Sequence, residues 1–367
     1  LQALKFKAFI MAKFNTLTIK DIKRETADSV SVAFEIPENL KNDYKFIQGQ
    51  YITLKRIFNG EDVRRSYSIC SSPITENELR VAVKEVPGGK FSTWLNREAK
   101  VGYTLEVMTP MGNFYSEMNA SNQKHYVLFA GGSGITPIYS ILKTVLAAEP
   151  NSRITLFYAN RNEDSIIFKN GINELEEKYN NRFKVYNILD TAPANYPDLY
   201  KGILSKDKVK TLIEKHVDLK LDNEFFICGP TPMMDNVRET LESLNVDKKK
   251  IHIEYFTAQE TKATEKTSSA GGVIQSNVTI IMDGVETTIK LASNGKTILD
   301  AAMDAGLDAP FACKGAVCCT CKAKVLNGNV SMDMNYALTD DEVAEGYILT
   351  CQAHPQSENV TVDYDVL

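Results

Sequence analysis

The chain has 367 residues, 43% hydrophobic and 24% charged. At about 100–200 residues per domain, this globular composition excludes a single small module, a disordered tail and a fibre. The net charge is −5, and the most apolar stretch, residues 126–142, is broken by Gly131, Gly132, Gly134 and Pro137, which argues against a membrane span.

Residues 1–10 carry scattered lysines, no apolar h-region and no small-residue cleavage site. They do not read as a signal peptide, and Met11 is a plausible start. From Phe14 to about Glu117, short runs alternate apolar and polar residues (FNTLTIKDI, SVSVAFEI, YITLKRIF, RRSYSI, LRVAVKEV, TLEVMT). Clusters of Gly, Pro and Asn separate them, which predicts an antiparallel β-barrel or sandwich with one short helix near Phe91–Arg97. From His125 to Phe256, compact apolar runs (HYVLFA, RITLFYA, FKVYNIL, EFFICG, KIHIEYF) alternate with helical stretches such as Pro137–Ala148 and Asn173–Tyr179. That is the rhythm of βαβ units on a parallel sheet. Residues 257–276 lack apolar periodicity and are rich in Ser, Thr, Ala and Gly, the composition of a flexible linker. Short strands return from Asn277, with a helix near Thr297–Ala305 and a cysteine-rich loop after it. The expected architecture is multidomain: an antiparallel β-barrel over 11–117, an α/β parallel-sheet domain over 118–256, a linker over 257–276 and an α+β unit over 277–367.

Charge divides the chain in the same place. Residues 276–367 hold five Lys+Arg against thirteen Asp+Glu, a net −8, whereas residues 1–275 are net +3. The asymmetry excludes a nucleic-acid surface on the acidic unit and predicts electrostatic docking, either within the chain or to a basic partner. Cys70 and Cys228 stand alone, while Cys313, Cys318, Cys319 and Cys321 crowd into nine positions, with Cys351 following. Clustering of this kind predicts metal ligation in a reducing compartment, by default the cytoplasm, rather than a disulfide framework.

The strongest chemical signal is Cys313-x4-Cys318-x2-Cys321 with the distant Cys351, the thiolate spacing of a plant-type [2Fe–2S] site. Gly315 and Ala316 are small enough for backbone amides to approach sulfur. Structural zinc is the alternative, but it prefers ligand pairs at both ends. Cys319 reads as a free thiol whose replacement by Ala leaves the cluster intact. The run Arg65-Ser66-Tyr67-Ser68 offers a pyrophosphate partner, an aromatic surface and a hydroxyl, although on a strand it is by itself only a polar face. Gly88-Gly89-Lys90-Phe91-Ser92 adds glycines at a helix start, an anion-binding arrangement. Together the two predict a flavin nucleotide.

Gly131-Gly132-Ser133-Gly134-Ile135-Thr136-Pro137 lies between an apolar strand and a helix, where a nucleotide diphosphate sits in a doubly wound sheet. A tight turn without a ligand is the plainer alternative. Cys228-Gly229-Pro230 marks a second strand end at the same edge. Asn160-Arg161 follows the second parallel strand, and an Arg there can pair with a 2′-phosphate, which predicts NADPH over NADH. The four histidines show no metal spacing.

These motifs resemble the ferredoxin-NADP reductase superfamily over residues 14–256, through RSYS, GGKFS, GGSGITP and CGPTPMM. Residues 277–367 resemble a plant-type ferredoxin of β-grasp-like fold. The order of the three parts is similar to the reductase subunits of phenylacetyl-CoA ring epoxidases and related hydroxylases. The resemblance implies FAD ahead of FMN, with Arg65 on its pyrophosphate, Tyr67 against its ring, Ser68 near N5 and Gly88–Ser92 at its phosphates. It further implies a nicotinamide nucleotide held by Gly131, Gly132, Ser133, Gly134 and Thr136, with Cys228, Gly229 and Pro230 close to the nicotinamide. Glu254 and Phe256 match an acidic-x-aromatic element near the flavin. Ser68, Cys228, Glu254 and Phe256 are thus the catalytic candidates, and Cys313, Cys318, Cys321 and Cys351 the cluster ligands. Cys319 departs from the family's pattern. The implied activity is electron transfer from NAD(P)H through FAD and the cluster to a di-iron oxygenase or other electron-accepting protein. The alternatives are a stand-alone NAD(P)H oxidase or quinone reductase, and a redox-sensing module with a degenerate flavin site.

Overall fold

Thirteen-residue β1 (Phe14–Thr26) opens a computed structural model that describes residues 13–256 and 272–366. The readings of residues 1–10 as a non-signal segment and of 257–271 as a linker lie outside the described residues. Two units emerge among the described residues, one formed by residues 16–63 and 67–255, the other by 256 and 272–366 with 13–15 and 64–66.

Apart from residues 14–15 and 64–66, the first unit opens with β1, β2 (Ser29–Glu35), β3 (Tyr51–Phe58), β4 (Glu61–Ser68), β5 (Leu79–Lys84), α1 (Lys90–Arg97) and β6 (Thr104–Met108). The strands form one sheet in the order β4-β3-β6-β1-β2-β5, and the pairings of β2 with β1 and β5 and of β3 with β6 are antiparallel. Its core is the period-two apolar set of the sequence, including Leu17, Ile19, Val32, Ile52, Leu54, Val81 and Val107. Each is worth about 1.5–3 kcal/mol when fully buried. Asn96 Nδ2 donates to Val83 O at 3.1 Å and fastens α1 to β5.

The parallel sheet has the order β11-β10-β7-β8-β9: β7 (His125–Gly131), β8 (Arg153–Asn160), β9 (Phe183–Leu189), β10 (Asn223–Cys228) and β11 (Ile251–Glu254). Helices α2 (Ile135–Ala148), α3 (Lys169–Lys178), α4 (Lys206–His216) and α5 (Thr231–Ser243) connect the strands. Because β7 has β8 on one side and β10 on the other, strand order reverses between β7 and β10. In open α/β sheets the crevice at the carboxyl ends of such strands receives the ligand. Helix α3 begins four residues before the expected Asn173, behind Phe168 in a left-handed conformation (φ 60°). Polar bonds within this unit tie the two sheets together: Ser140 Oγ donates to Ser71 O at 2.6 Å, Ser72 and Thr144 hydroxyls meet at 2.9 Å, and Lys143 pairs with Glu76.

The second unit contains β12 (Gln275–Met282), β13 (Val285–Ala292), α6 (Ile298–Asp304), β14 (Lys322–Asn327), β15 (Val330–Met332), α7 (Asp340–Ala344), β16 (Tyr347–Leu349), β17 (Ala353–Pro355) and β18 (Asn359–Asp363). Its main sheet runs β13-β12-β18-β14-β16, with β12 and β18 parallel. β12 starts at Gln275, inside the stretch read as linker, because Gln275 and Ser276 already pair with Ala292 and Leu291.

Candidate functional site

Strand β4 carries the first motif. Arg65 is exposed and its Nη1 donates to Arg64 O at 2.7 Å. Tyr67 is half-buried, its ring 6.1 Å from that of Phe91. Ser68 is buried, and its Oγ donates to Glu254 Oε2 at 3.0 Å across 186 residues of sequence. Burial pushes the Glu254 carboxyl up to about 8, outweighing the Ser68 hydrogen bond that favours the charged form. The pair can therefore hold one proton at the carboxyl at neutral pH. Phe256, two residues on, is exposed.

A pH dependence follows. Between pH 4.5 and 8 the folded protein keeps a proton at Glu254 that the unfolded chain has released, so stability falls as pH rises through this window, by at most about 1.4 kcal/mol per unit. Glu254→Gln should remove that slope. Thermal melts are expected to place the variant above the wild type at pH 8 and level with it near pH 4.5; parallel curves would refute the assignment.

The second motif sits at the start of α1. Gly89 is its N-cap and supplies no side-chain cap, which leaves first-turn N–H groups for an anion. A Cβ on Gly89 would fall 2.6 Å from Ser92 Oγ and 3.0 Å from Val86 O, so the turn needs glycine, while Gly88 (φ 76°) faces open space. Ser92 Oγ is taken by Val86 N, Lys90 pairs with Glu61, and the Phe91 ring lies in the barrel core. These residues thus offer a ligand mainly backbone. The sequence reading missed Arg56 and Trp94. A cleft of about 850 Å³ is lined by Gly88, Gly89, Lys90, Arg56, Phe58 and Trp94, among others. The Arg56 guanidinium lies 4.1 Å from the Trp94 ring centroid, and its Nε is buried with no hydrogen-bond partner among the described residues. An orphaned cationic N–H beside an aromatic ring and a helix N-terminus fits the phosphate end of a flavin nucleotide.

The third site is the β7/β10 crevice. Gly131, Gly132, Ser133, Gly134 and Thr136 form the β7-to-α2 turn, and Cys228, Gly229 and Pro230 the facing β10-to-α5 turn, with Ala130 and Cys228 paired across the sheet. Thr136 Oγ1 donates to Ser133 O at 3.1 Å, closing the turn. Cys228 is fully buried, and burial pushes its thiol far above the usual range. Its thiol is therefore protonated at neutral pH. Arg161 is exposed just beyond the end of β8.

The cysteine loop brings four thiols together as two pairs. Cys318 Sγ lies 3.1 Å from Cys313 Sγ, and Cys321 is hydrogen-bonded to Cys351. The Cys318 thiol and the amides of Gly315, Val317 and Cys318 pull Cys313 down to about 6, and the Cys321 thiol with the Ala316 amide lowers Cys351. Gly315 N is 3.3 Å from Cys313 Sγ. To deliver these amides, Lys314 and Ala316 adopt left-handed backbone (φ 48° and 62°), a conformation costing non-glycine residues roughly 1–2 kcal/mol each. Among the described residues no three His, Cys, Asp or Glu side chains converge on one metal position. Two thiol pairs match two irons with two thiolates each better than one tetrahedral zinc. Cys319 turns away and bonds Ala337 O at 3.3 Å.

An antiparallel sheet with an anion-ready helix start, a parallel sheet with a glycine turn at its switch point, and a paired-thiol loop define a flavin- and iron–sulfur-dependent NAD(P)H oxidoreductase. Comparison with known proteins agrees: residues 16–115 match the oxidoreductase FAD-binding domain family, 128–239 the oxidoreductase NAD-binding domain family and 280–356 the 2Fe-2S iron-sulfur cluster binding domain family. The chain is 40% identical over 358 residues to a subunit of the 1,2-phenylacetyl-CoA epoxidase of Escherichia coli (strain K12), covering 97% of this chain and 99% of that protein. It is 34% identical to the ferredoxin reductase component of 3-ketosteroid-9-alpha-monooxygenase from Mycobacterium tuberculosis, covering 95% of each. In fold it matches phthalate dioxygenase reductase, with a TM-score of 0.57 and 24% identity over 95% of this chain and 98% of that one. The chain belongs to the family of oxygenase reductase components that join FAD-binding, NAD-binding and [2Fe–2S] domains. No helix among the described residues is long and apolar enough to cross a membrane.

Proposed function

We propose that this protein is the reductase component of a di-iron oxygenase, with a phenylacetyl-CoA ring epoxidase as the first candidate and a related hydroxylase as the next. The carrying observation is the 40% identity to the epoxidase protein along nearly the whole of both chains. The domains are 11–117 for FAD, 118–256 for the nicotinamide nucleotide and 277–367 for the cluster. We place it in a reducing cytoplasm, because Cys313, Cys318, Cys321 and Cys351 have the clustered spacing of metal ligands rather than that of a disulfide framework.

Bound FAD and the [2Fe–2S] cluster supply the conversion of a two-electron hydride donor into single electrons. The chain's own residues do the rest. Arg56 and the backbone amides of Gly88–Ser92 hold the flavin phosphates, and Tyr67 covers the ring. Ser68 and Glu254 hold a proton beside it. The Gly131–Thr136 turn receives the coenzyme pyrophosphate, and the Cys228–Pro230 turn, carrying its neutral thiol, bounds the nicotinamide. Cys313, Cys318, Cys321 and Cys351 hold the irons.

Arg161 selects NADPH by pairing with the 2′-phosphate. Arg161→Ala should lower kcat/KM for NADPH about 10–100-fold, since one charge-assisted pair is worth about 1.5–3 kcal/mol, with NADH barely changed. An unaltered NADPH/NADH ratio would make Arg161 a solvated strand-end residue.

The acidic cluster domain, net −8 over residues 276–367, steers encounter with a basic face of the oxygenase. Mixed with the oxygenase subunits of a phenylacetyl-CoA epoxidase, the protein should support NADPH- and acyl-CoA-dependent turnover that falls as ionic strength rises. Rapid reduction of many quinones, with no coupling to the oxygenase and no salt dependence, would instead mark a stand-alone reductase.

A further inference from the structure

Gln352 follows the fourth cysteine and is buried beside it, with Gln352 and Cys351 each only 6% exposed. Its backbone is fixed from both sides: its N–H donates to Leu349 O at 2.9 Å, and its carbonyl accepts from Asp333 N at 2.9 Å. The side-chain amide turns inward. Nε2 lies 3.3 Å from Lys314 O and 3.6 Å from Cys351 Sγ. Both neighbours are acceptors, so the NH2 end of the amide must face them, because an oxygen there would meet a carbonyl and a thiolate with nothing to share. One nitrogen thus bridges the two segments that carry cysteines: the 313–321 loop, at its left-handed residue Lys314, and the strand turn holding Cys351. Thr350 makes the complementary tie, its Oγ1 donating to Cys321 O at 2.8 Å while accepting from Tyr364 Oη at 2.8 Å. Of these two neighbours of Cys351, Gln352 is the one whose side chain reaches sulfur.

We propose that Gln352 is a positioning residue that raises the reduction potential of the cluster by donating its side-chain amide to Cys351 sulfur while pinning the Lys314 carbonyl. The inference rests on the reading of the four cysteines as ligands. Reduction adds one electron to the iron–sulfur unit and increases the negative charge on its sulfurs, so an N–H aimed at sulfur stabilises the reduced form more than the oxidised one. The same amide cannot be replaced by solvent, since the site is buried, and its loss leaves Lys314 O and Cys351 Sγ facing each other without a donor between them.

The test uses the full-length holoprotein. Gln352→Met keeps the length of the side chain and removes the donor, and Gln352→Glu keeps the shape and places an acceptor where the donor was. In spectroelectrochemical titration, Gln352→Met should move the flavin–cluster electron partition about tenfold away from the cluster, a fall of about 59 mV for a one-electron couple, and Gln352→Glu should move it further the same way. FAD content and NADPH–ferricyanide activity should be unchanged. Pulsed EPR of the reduced wild-type protein, labelled with side-chain 15N-glutamine, should show a coupled nitrogen, a readout that does not depend on either variant assembling its cluster. An unshifted potential in a variant holding two irons and two sulfides, or no glutamine coupling in the wild type, overturns the proposal. A wild-type protein without iron and acid-labile sulfide would instead overturn the ligand reading on which it rests.

Discussion

Replacing Cys351 with Ser should separate two activities that the wild-type protein couples. Cys351 lies in the unit of residues 256–367, whereas the flavin cleft at α1 and the β7/β10 crevice are built from residues 16–63 and 67–255. The substitution removes one sulfur of the Cys321/Cys351 pair and with it the thiolate that the Ala316 amide and Gln352 are arranged to favour. Electron delivery to the oxygenase should fall at least about 100-fold, because even groups that only support a metal ligand are worth about 10–100-fold. NADPH-dependent ferricyanide reduction, which needs flavin and coenzyme alone, should keep most of its rate, with FAD still bound. Stopped-flow reduction of the flavin and iron analysis of the same sample read both halves. Loss of FAD together with both activities would show that the cluster domain is needed to build the flavin site.

Much of this arrangement is legible in the sequence because its signals are local. Alternation in SVSVAFEI and LRVAVKEV marks strands whether or not their partners are known, and β2 and β5 do pair. The C-x4-C-x2-C spacing places three thiols on one short loop before any fold is considered. What the sequence hides is long-range or conformational. Ser68 and Glu254 meet across 186 residues; the family resemblance puts both near the flavin, but no pattern in either segment shows that they bond each other. Arg56 reads as one more polar residue on an alternating strand, and only the structure sets it over Trp94. Helix α3 starts early because Phe168 takes a left-handed conformation that its side chain does not advertise. Helix α7 is a different case. Its capping box, Thr339 with Glu342 three residues on, stands plainly in the sequence, but the helix is five residues long and carries no apolar period to point to it.

Gly134→Ala should be the most damaging single change at the coenzyme crevice, and for a reason opposite to the one that governs its neighbour Gly132. In sequence the two glycines look alike, both freeing backbone for a phosphate. Gly134 has ordinary helical backbone (φ −61°, ψ −9°) that alanine adopts readily. Its constraint is space, since a Cβ there would lie 2.1 Å from Cys228 O, 2.4 Å from Cys228 C and 2.7 Å from Gly229 N. All three are backbone atoms of the facing turn, with no flexible side chain to yield. The methyl must push the β7-to-α2 turn away from the β10-to-α5 turn, opening the crevice in which pyrophosphate and nicotinamide are bound. Overpacking of this kind costs about 1–3 kcal/mol. If that strain is relieved at the expense of the bound geometry, kcat/KM for NADPH should fall about 10–100-fold. Gly132 has the reverse problem: its φ of +51° disfavours a side chain, but nothing lies within 4 Å of the added Cβ. Gly132→Ala should therefore cost about 1–2 kcal/mol of backbone strain in thermal stability while retaining more of the coenzyme affinity. Measuring NADPH Kd and Tm for both variants distinguishes the two causes. Equal losses of affinity would mean that the turn acts as one phosphate cradle rather than as a packed contact and a conformational hinge.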